Sequence, residues 1–254
     1  MSYHTIQVRF QGPVCFIRFY RPEARNTING LLVKECHQVL DECGPDTKIV
    51  VWEGLPEVFC DGVDFQEIHA EMASGQSSEN NPELLYDLWL RMVEGPMVNV
   101  AHVRGKANAG GIGFVAACDI VLADSTAQFG LSELLFGLFP ACVLPFLIRR
   151  TGYQKAHYLT LMTRPISVDQ AHAWGLVDAY EAESGSLLRK HLLRLQCLSA
   201  QGILRYKRYI TGLDLSLHSA KAGAVAANKE VFADPHNREA IYRYIEKGIF
   251  PWEE

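Results

Sequence analysis

No apolar run in this chain approaches the roughly 20 residues that a membrane-spanning helix needs; runs such as Ile120 to Ala123 fall far short. The N-terminal Met1-Ser2-Tyr3-His4-Thr5 lacks the basic region and following apolar stretch of a signal peptide, so the expected location is the cytoplasm. An excess of positive charge is missing too. With 24 Lys and Arg against 29 Asp and Glu the formal net charge is −5, and no net field draws the chain to nucleic acid or an anionic membrane. The seven cysteines (15, 36, 43, 60, 118, 142 and 197) are odd in number, irregularly spaced and form no C-x-x-C. That excludes a disulfide framework and predicts reduced, mostly buried thiols. Nine histidines form no H-E-x-x-H or similar cluster, so no metal site is expected.

What is present is an ordinary globular composition, 48% hydrophobic and 21% charged over 254 residues. Ile6, Val8 and Phe10 alternate with Gln7 and Arg9 as in a half-buried strand, and after Gln11-Gly12-Pro13 the stretch Val14 to Tyr20 reads as its hairpin partner. Asn29 is placed to cap a helix carrying Leu32, Cys36, Val39 and Leu40 on one face. Ile49 to Trp52, Met97 to Val103 and Asp119 to Ala123 read as strands, with a helix from Pro82 to Glu94 between the first two. Glu53 to Asp64 reads as a loop, and Ala73 to Pro82, rich in Ser, Gly, Gln and Asn, as the most loop-like stretch of all. From Tyr153 onward the pattern is helical. Strands alternating with helices predict an α/β core built on a single, largely parallel sheet over residues 1–180, with a helical region over 181–254.

Gly111-Ile112-Gly113-Phe114-Val115-Ala116 matches the G-x-G-x-x-A dinucleotide fingerprint. Its context does not: Arg104 to Ala109 separate it from the preceding strand, and the acid after the next strand, Asp124, stands 13 residues beyond Gly111 rather than about 20. Without a nucleotide, a Gly-Gly pair at a loop-to-helix boundary still presents backbone N–H groups at the positive end of a helix. Such donors stabilise a developing oxyanion. The loop Asp61-Gly62-Val63-Asp64 also follows a strand and can aim a second N–H at the same point.

The order Arg21-Pro22 … Asn26, Phe59-Cys60-Asp61-Gly62-Val63-Asp64, Gly105-x-Ala107-x-x-Gly110-Gly111, Cys118-Asp119, Phe129-Gly130-x-x-Glu133, Gly175-Leu176-Val177 and Phe250-Pro251 resembles the enoyl-CoA hydratase/isomerase (crotonase) superfamily over nearly the whole chain. Asn26-Thr27-Ile28-Asn29, Phe59 to Phe65 and Ser132-Glu133-Leu134 look most like the dehydratases of polyketide β-branching. The resemblance implies a spiral of ββα units with a C-terminal helical trimerisation region, packed between subunits of a trimer or dimer of trimers. It implies oxyanion-hole amides at Val63 and Gly110. Of the two glutamates of the hydratases, the second falls at Glu133, whereas the first aligns with Gly113 and is missing. It further implies a 3-hydroxy-3-methylglutaryl-type substrate on the phosphopantetheine of an acyl carrier protein or on CoA, with no other cofactor.

On that basis Glu133 is the expected general acid–base. Asp61, Gly62, Gly111, Asn108 and Lys106 are expected around the thioester and its distal carboxylate, with Tyr86 and Trp89 bordering the acyl pocket. Arg21, Arg25, Lys229 and Lys247 are candidates for contact with an acidic carrier; so is the cluster Arg205, Lys207 and Arg208. Cys60 and Cys118 are expected to be packing residues. His69 is expected on the loop surface. The rival activities are decarboxylation of a glutaconyl-type thioester, hydration or double-bond isomerisation, and a catalytically silent carrier-binding role.

Overall fold

The computed structural model describes residues 3–68 and 81–253; His69 and the polar stretch from Ala73 to Asn80 lie outside the described residues. Strands β1 (Ile6–Gln11) and β2 (Val14–Phe19) form the expected antiparallel hairpin, with Ile6 opposite Phe19. Helix α1 (Gly30–Glu42) starts where predicted: Asn29 Oδ1 accepts the Leu32 N–H at 2.9 Å, and Leu32, Cys36, Val39 and Leu40 are its buried stripe.

Two strands and a helix then recur. They are β3 (Ile49–Glu53), β4 (Val58–Cys60) and α2 (Pro82–Glu94), then β5 (Val98–Val103), β6 (Lys106–Asn108) and α3 (Gly110–Ala117). A third pair, β7 (Ile120–Ala123) and β8 (Gln128–Gly130), leads into a 3-10 turn at Glu133–Phe136. The first strand of each pair joins a six-stranded sheet of order β1-β2-β3-β5-β7-β10, where β10 is Ala179–Tyr180. The second joins a separate four-stranded sheet, β4-β6-β8-β9, closed by Ile166–Ser167 as β9.

The expected single sheet is therefore two sheets. Strands of three residues are too short to show a period, so β4 and β6 lie hidden in stretches that read as loops. Gly54 and Gly105 make the corners between the sheets: a Cβ on Gly54 would sit 2.3 Å from Phe59 Cα, and one on Gly105 2.1 Å from the Glu57 carbonyl oxygen.

Helix α4 (Leu144–Thr151) precedes the stretch that reads as helical, and α5 (Tyr153–Met162), α6 (Val168–Ala173), α7 (Ser184–Leu195), α8 (Ala200–Gly212), α9 (Ser216–Ala233) and α10 (Pro235–Lys247) follow. Helices α9 and α10 pack back on their own chain. The Leu217 carbonyl accepts from Tyr86 Oη at 2.7 Å, and Asn237 Nδ2 donates to the Gly137 carbonyl at 3.2 Å. No helix among the described residues is long and apolar enough to cross a membrane. All seven cysteines are free, five of them buried, Cys60 and Cys118 included.

Phe19, Trp52, Phe59 and Phe114 interlock at the centre of the core, with Phe19 and Phe114 centroids 4.8 Å apart. The indole nitrogen of Trp52 is paired within this packing. Trp52 Nε1 donates to Asn99 Oδ1 at 2.9 Å, and Asn99 Nδ2 donates to the Met92 carbonyl at 2.7 Å. Lys207 belongs to this knot rather than to a docking surface: at 3% exposure its Nζ donates to the Met92 and Met97 carbonyls at 2.9 Å each and to Asp119 Oδ2 at 2.7 Å. Lys207→Ala removes the cation from Asp119 and leaves all three acceptors to Asn99 alone, and is expected to lower stability by about 1.5–3 kcal/mol, read from urea unfolding.

Candidate active site

Strands β4, β6 and β8 run parallel, with Cys60 beside Ala107 and Ala107 beside Phe129. Their C-terminal ends therefore share one edge, where ligands of parallel sheets commonly bind. From that edge emerge the Asp61–Asp64 loop, the start of α3, and the turn carrying Glu133. Sequence reasoning expected these segments to converge, and the structure brings them together.

Gly62, at φ +100°, has room for no side chain: a Cβ would lie 2.7 Å from Ala109 Cβ and 3.7 Å from the Gly110 nitrogen. Both proposed oxyanion amides are left out of the backbone ladders. Gly110 is the first residue of α3 and has no helical carbonyl behind it. In the bridge between Ile28 and Val63 the bonds run from Ile28 N to the Gly62 carbonyl and from Asp64 N to the Ile28 carbonyl, bypassing the Val63 N–H. Ala109 just before α3 is held at φ +51°, an uncommon and strained conformation for a residue with a Cβ.

These loops border a cavity of about 810 Å³ lined by Val63, Gly110, Glu133, Trp89, Asn108, Asp61, Lys106 and Arg25, among others. Glu133 opens the 3-10 turn, and its Oε2 is sealed from water with no hydrogen-bond partner among the described residues. Burial pushes its carboxyl up to about 7, against a smaller pull downward from the Ser132 and Glu133 N–H groups. Ser132 gives no side-chain cap to this turn. Its Oγ instead accepts from Asn108 Nδ2 at 2.9 Å, which ties β6 to the residue beside Glu133. At the Asp61 side one carboxylate holds two cations, Arg25 Nε and Lys106 Nζ, each at 2.8 Å.

Other candidates fall elsewhere. Tyr86 does not border the pocket; fully buried, it bonds Leu217 and packs edge-on against Phe146 at 4.9 Å. Gly111 serves packing: a Cβ there would lie 2.5 Å from the Cys60 carbonyl oxygen. Arg21 is no docking residue, since its guanidinium bonds Asp64 Oδ2 at 2.8 Å and the Thr27 carbonyl at 2.6 Å, fastening the oxyanion loop. Lys229 and Lys247 are exposed, each adjoining a cavity-lining residue, Asn228 and Gly248. Asn228, Phe232 and Tyr244 of the helical tail also line the cavity and carried no local signal in the sequence. Cys142 lines it as well, and burial pushes its thiol up to about 12, so it stays protonated. Among the described residues no three His, Cys, Asp or Glu side chains gather as a metal site.

The structure also accounts for the glycine at 113. A Cβ there would lie 2.3 Å from Trp89 Cζ2 and 2.4 Å from Cη2, so the indole occupies the space that any side chain at 113 would need.

A family model of enoyl-CoA hydratase/isomerase matches residues 9–254. The chain belongs to the enoyl-CoA hydratase/isomerase family. It is 60% identical over 255 residues to the bacillaene synthase dehydratase PksH of Bacillus subtilis, covering 100% of this chain and 98% of that one. A solved structure of Bacillus subtilis PksH superposes with a TM-score of 0.96 at 59% identity, over 98% of this chain and 100% of that one. The mevalonyl-coenzyme A hydratase of Aspergillus fumigatus is 33% identical over 184 residues, 70% of this chain and 67% of that one. The fold of this family member is the crotonase fold, and the chain is an enzyme of the hydro-lyase type.

Two outcomes follow from the geometry. Gly113→Ala is expected to lose about 1–3 kcal/mol in urea unfolding, because Trp89 must move to admit the methyl group. The folded chain also binds the Glu133 proton more tightly than the unfolded chain, whose carboxyl keeps its ordinary value of 4.5. The stability this contributes is complete below pH 4.5 and is lost as pH rises through 7. Glu133→Gln cannot ionise, so at pH 8 it should be more stable than the parent by about 2–3 kcal/mol, with the difference gone near pH 4.

Proposed function

We propose that this enzyme dehydrates a 3-hydroxy-3-methylglutaryl thioester carried on an acyl carrier protein to the 3-methylglutaconyl thioester, as a step of polyketide β-branching. The observation that carries the chemistry is the desolvated Glu133 carboxyl on the same cavity as two unused backbone amides. The substrate class is supported by the full-length similarity to a bacillaene synthase dehydratase.

Val63 and Gly110 donate to the thioester oxygen and stabilise the enolate, each donor being worth ~3–4 kcal/mol in comparable sites. Glu133 removes the α-proton. The electron pair left on the α-carbon forms the double bond as the β-carbon–oxygen bond breaks, and the departing oxygen takes the proton back from Glu133 to leave as water. One carboxyl group serves both steps when proton and hydroxyl leave from the same face, and a value near 7 suits a group that must accept and return a proton at neutral pH. The distal carboxylate of the substrate lies toward Lys106 and Arg25, drawing on cations that Asp61 otherwise neutralises. No cofactor beyond the substrate's own phosphopantetheine takes part.

Arg25, Lys229 and Lys247 around the cavity form the cationic face for an acidic carrier. Self-association as a trimer or dimer of trimers is part of the same reading, supported by exposed large apolar side chains such as Tyr153, Leu161, Tyr206, Tyr209 and Leu213.

The test is mass spectrometry of carrier protein loaded with the 3-hydroxy-3-methylglutaryl group. Loss of one water with the parent enzyme and a rate at least 1,000-fold lower with Glu133→Gln are expected. Loss of carbon dioxide without loss of water would establish the decarboxylase instead, and no mass change across several acyl chains a silent binding protein. Because the carboxylate form starts the reaction, kcat/KM should rise tenfold per pH unit below about 7 and level off above it.

A further inference from the structure

Trp89, like Glu133, lines this cavity with a hydrogen-bonding atom unmet. Its side chain is fully buried, and its Nε1–H has no acceptor among the described residues. Leaving a buried donor unpaired costs about 1–3 kcal/mol, so such a group calls for a partner. The other buried indole, Trp52, has one in Asn99.

The position of the ring is fixed from three sides. Phe114 and Phe146 pack edge-on against it at 5.8 and 5.6 Å, and the bare backbone of Gly113 admits its six-membered edge. Gly113 lies three residues after Gly110 in α3, on the same helix face and about 4.5 Å further along the axis. The indole thus stands one helical turn from an oxyanion amide. That spacing is comparable to the distance between the carbonyl oxygen of a thioester and an oxygen on its β-carbon.

We propose that the Trp89 Nε1–H is the subsite for the β-hydroxyl oxygen of a 3-hydroxyacyl thioester and makes this cavity selective for hydroxylated over deoxy acyl chains. The inference rests on the dehydratase reading given above. A hydroxyl suits this place better than the distal carboxylate of the chain. The ring packs on Phe114 and Phe146, and no cation among the described residues is stacked on it, so an anion buried there would go unneutralised, whereas Lys106 and Arg25 stand beside Asp61. The indole cannot give up its proton at neutral pH. It holds the oxygen and orients the β-carbon–oxygen bond, leaving Glu133 to supply the proton.

The assignment is tested by calorimetric binding in a Glu133→Gln background, where turnover is suppressed. The two ligands are the 3-hydroxy-3-methylglutaryl and 3-methylglutaryl thioesters of pantetheine. The Trp89 enzyme should bind the hydroxylated thioester more tightly, and Trp89→Phe should reduce that preference by about five- to tenfold, the effect of one hydrogen bond to a buried neutral group. Placing 3-benzothienylalanine at position 89 guards against a packing artefact, because it keeps the bicyclic shape and replaces the N–H by sulfur. It should give the same loss, with unfolding midpoints close to those of the parent.

An unchanged preference in the benzothienyl protein overturns the assignment and means that the indole N–H serves only a trapped water. Equal loss of affinity for both thioesters overturns it too, since that reports wall packing. If the Trp89 enzyme binds neither thioester and dehydrates no loaded carrier, the dehydratase reading itself falls, and this inference with it.

Discussion

Parallel pairing of three very short strands is the constraint on which the site depends. β4, β6 and β8 contribute three residues each, and their register alone decides that the Val63 loop, the start of α3 and the Glu133 turn emerge side by side. Strands so short hold register through their surroundings. The corner glycines 54 and 105 let the chain fold back hard against itself, and Asn26 clamps the outer strand, its Nδ2 donating to the Val58 and Phe59 carbonyls at 3.2 Å. The larger sheet beneath supplies the packed aromatic centre that makes such precision rigid.

Within this frame two carboxylates receive opposite treatment. Asp61 sits between Arg25 and Lys106, and its charge is matched before any ligand arrives. Glu133 has no ion-pair partner among the described residues, and burial raises its proton affinity to the neutral range. The first arrangement suits recognition of an anion by exchange of partners, and the second suits proton transfer. Val63, Gly110 and Trp89 line the same cavity and add neutral N–H donors to the two carboxylates.

Much of this was legible because local chemistry left marks. Asn29 announces a helix start, the 110–113 glycines announce a close backbone approach, and Glu133 follows a strand end at the spacing of a known family. The sequence pattern sets Tyr86 and Trp89 on one helix expected to border the acyl pocket. It could not tell which of them faces the cavity, because that depends on Leu217, 131 residues away along the chain from Tyr86. The same limit hid Asn228, Phe232 and Tyr244, which look like any amphipathic helix until tertiary packing turns them toward Glu133. Lys207 misled for the converse reason: a lysine between two arginines on a helix reads as surface, and nothing local tells of the three acceptors waiting beneath it.

The aromatic side chains of the tail join distant parts of the chain at the cavity. Phe250 and Tyr244 pack on Phe136 of the turn that Glu133 opens, with centroids 6.1 and 5.1 Å away. Phe250 follows Glu133 by 117 positions (250 − 133). The cavity is therefore walled by segments far apart in sequence, and its shape is a tertiary property that no single stretch of chain carries alone. A change at Phe250 or Tyr244 can loosen the Glu133 turn without touching a residue of either sheet.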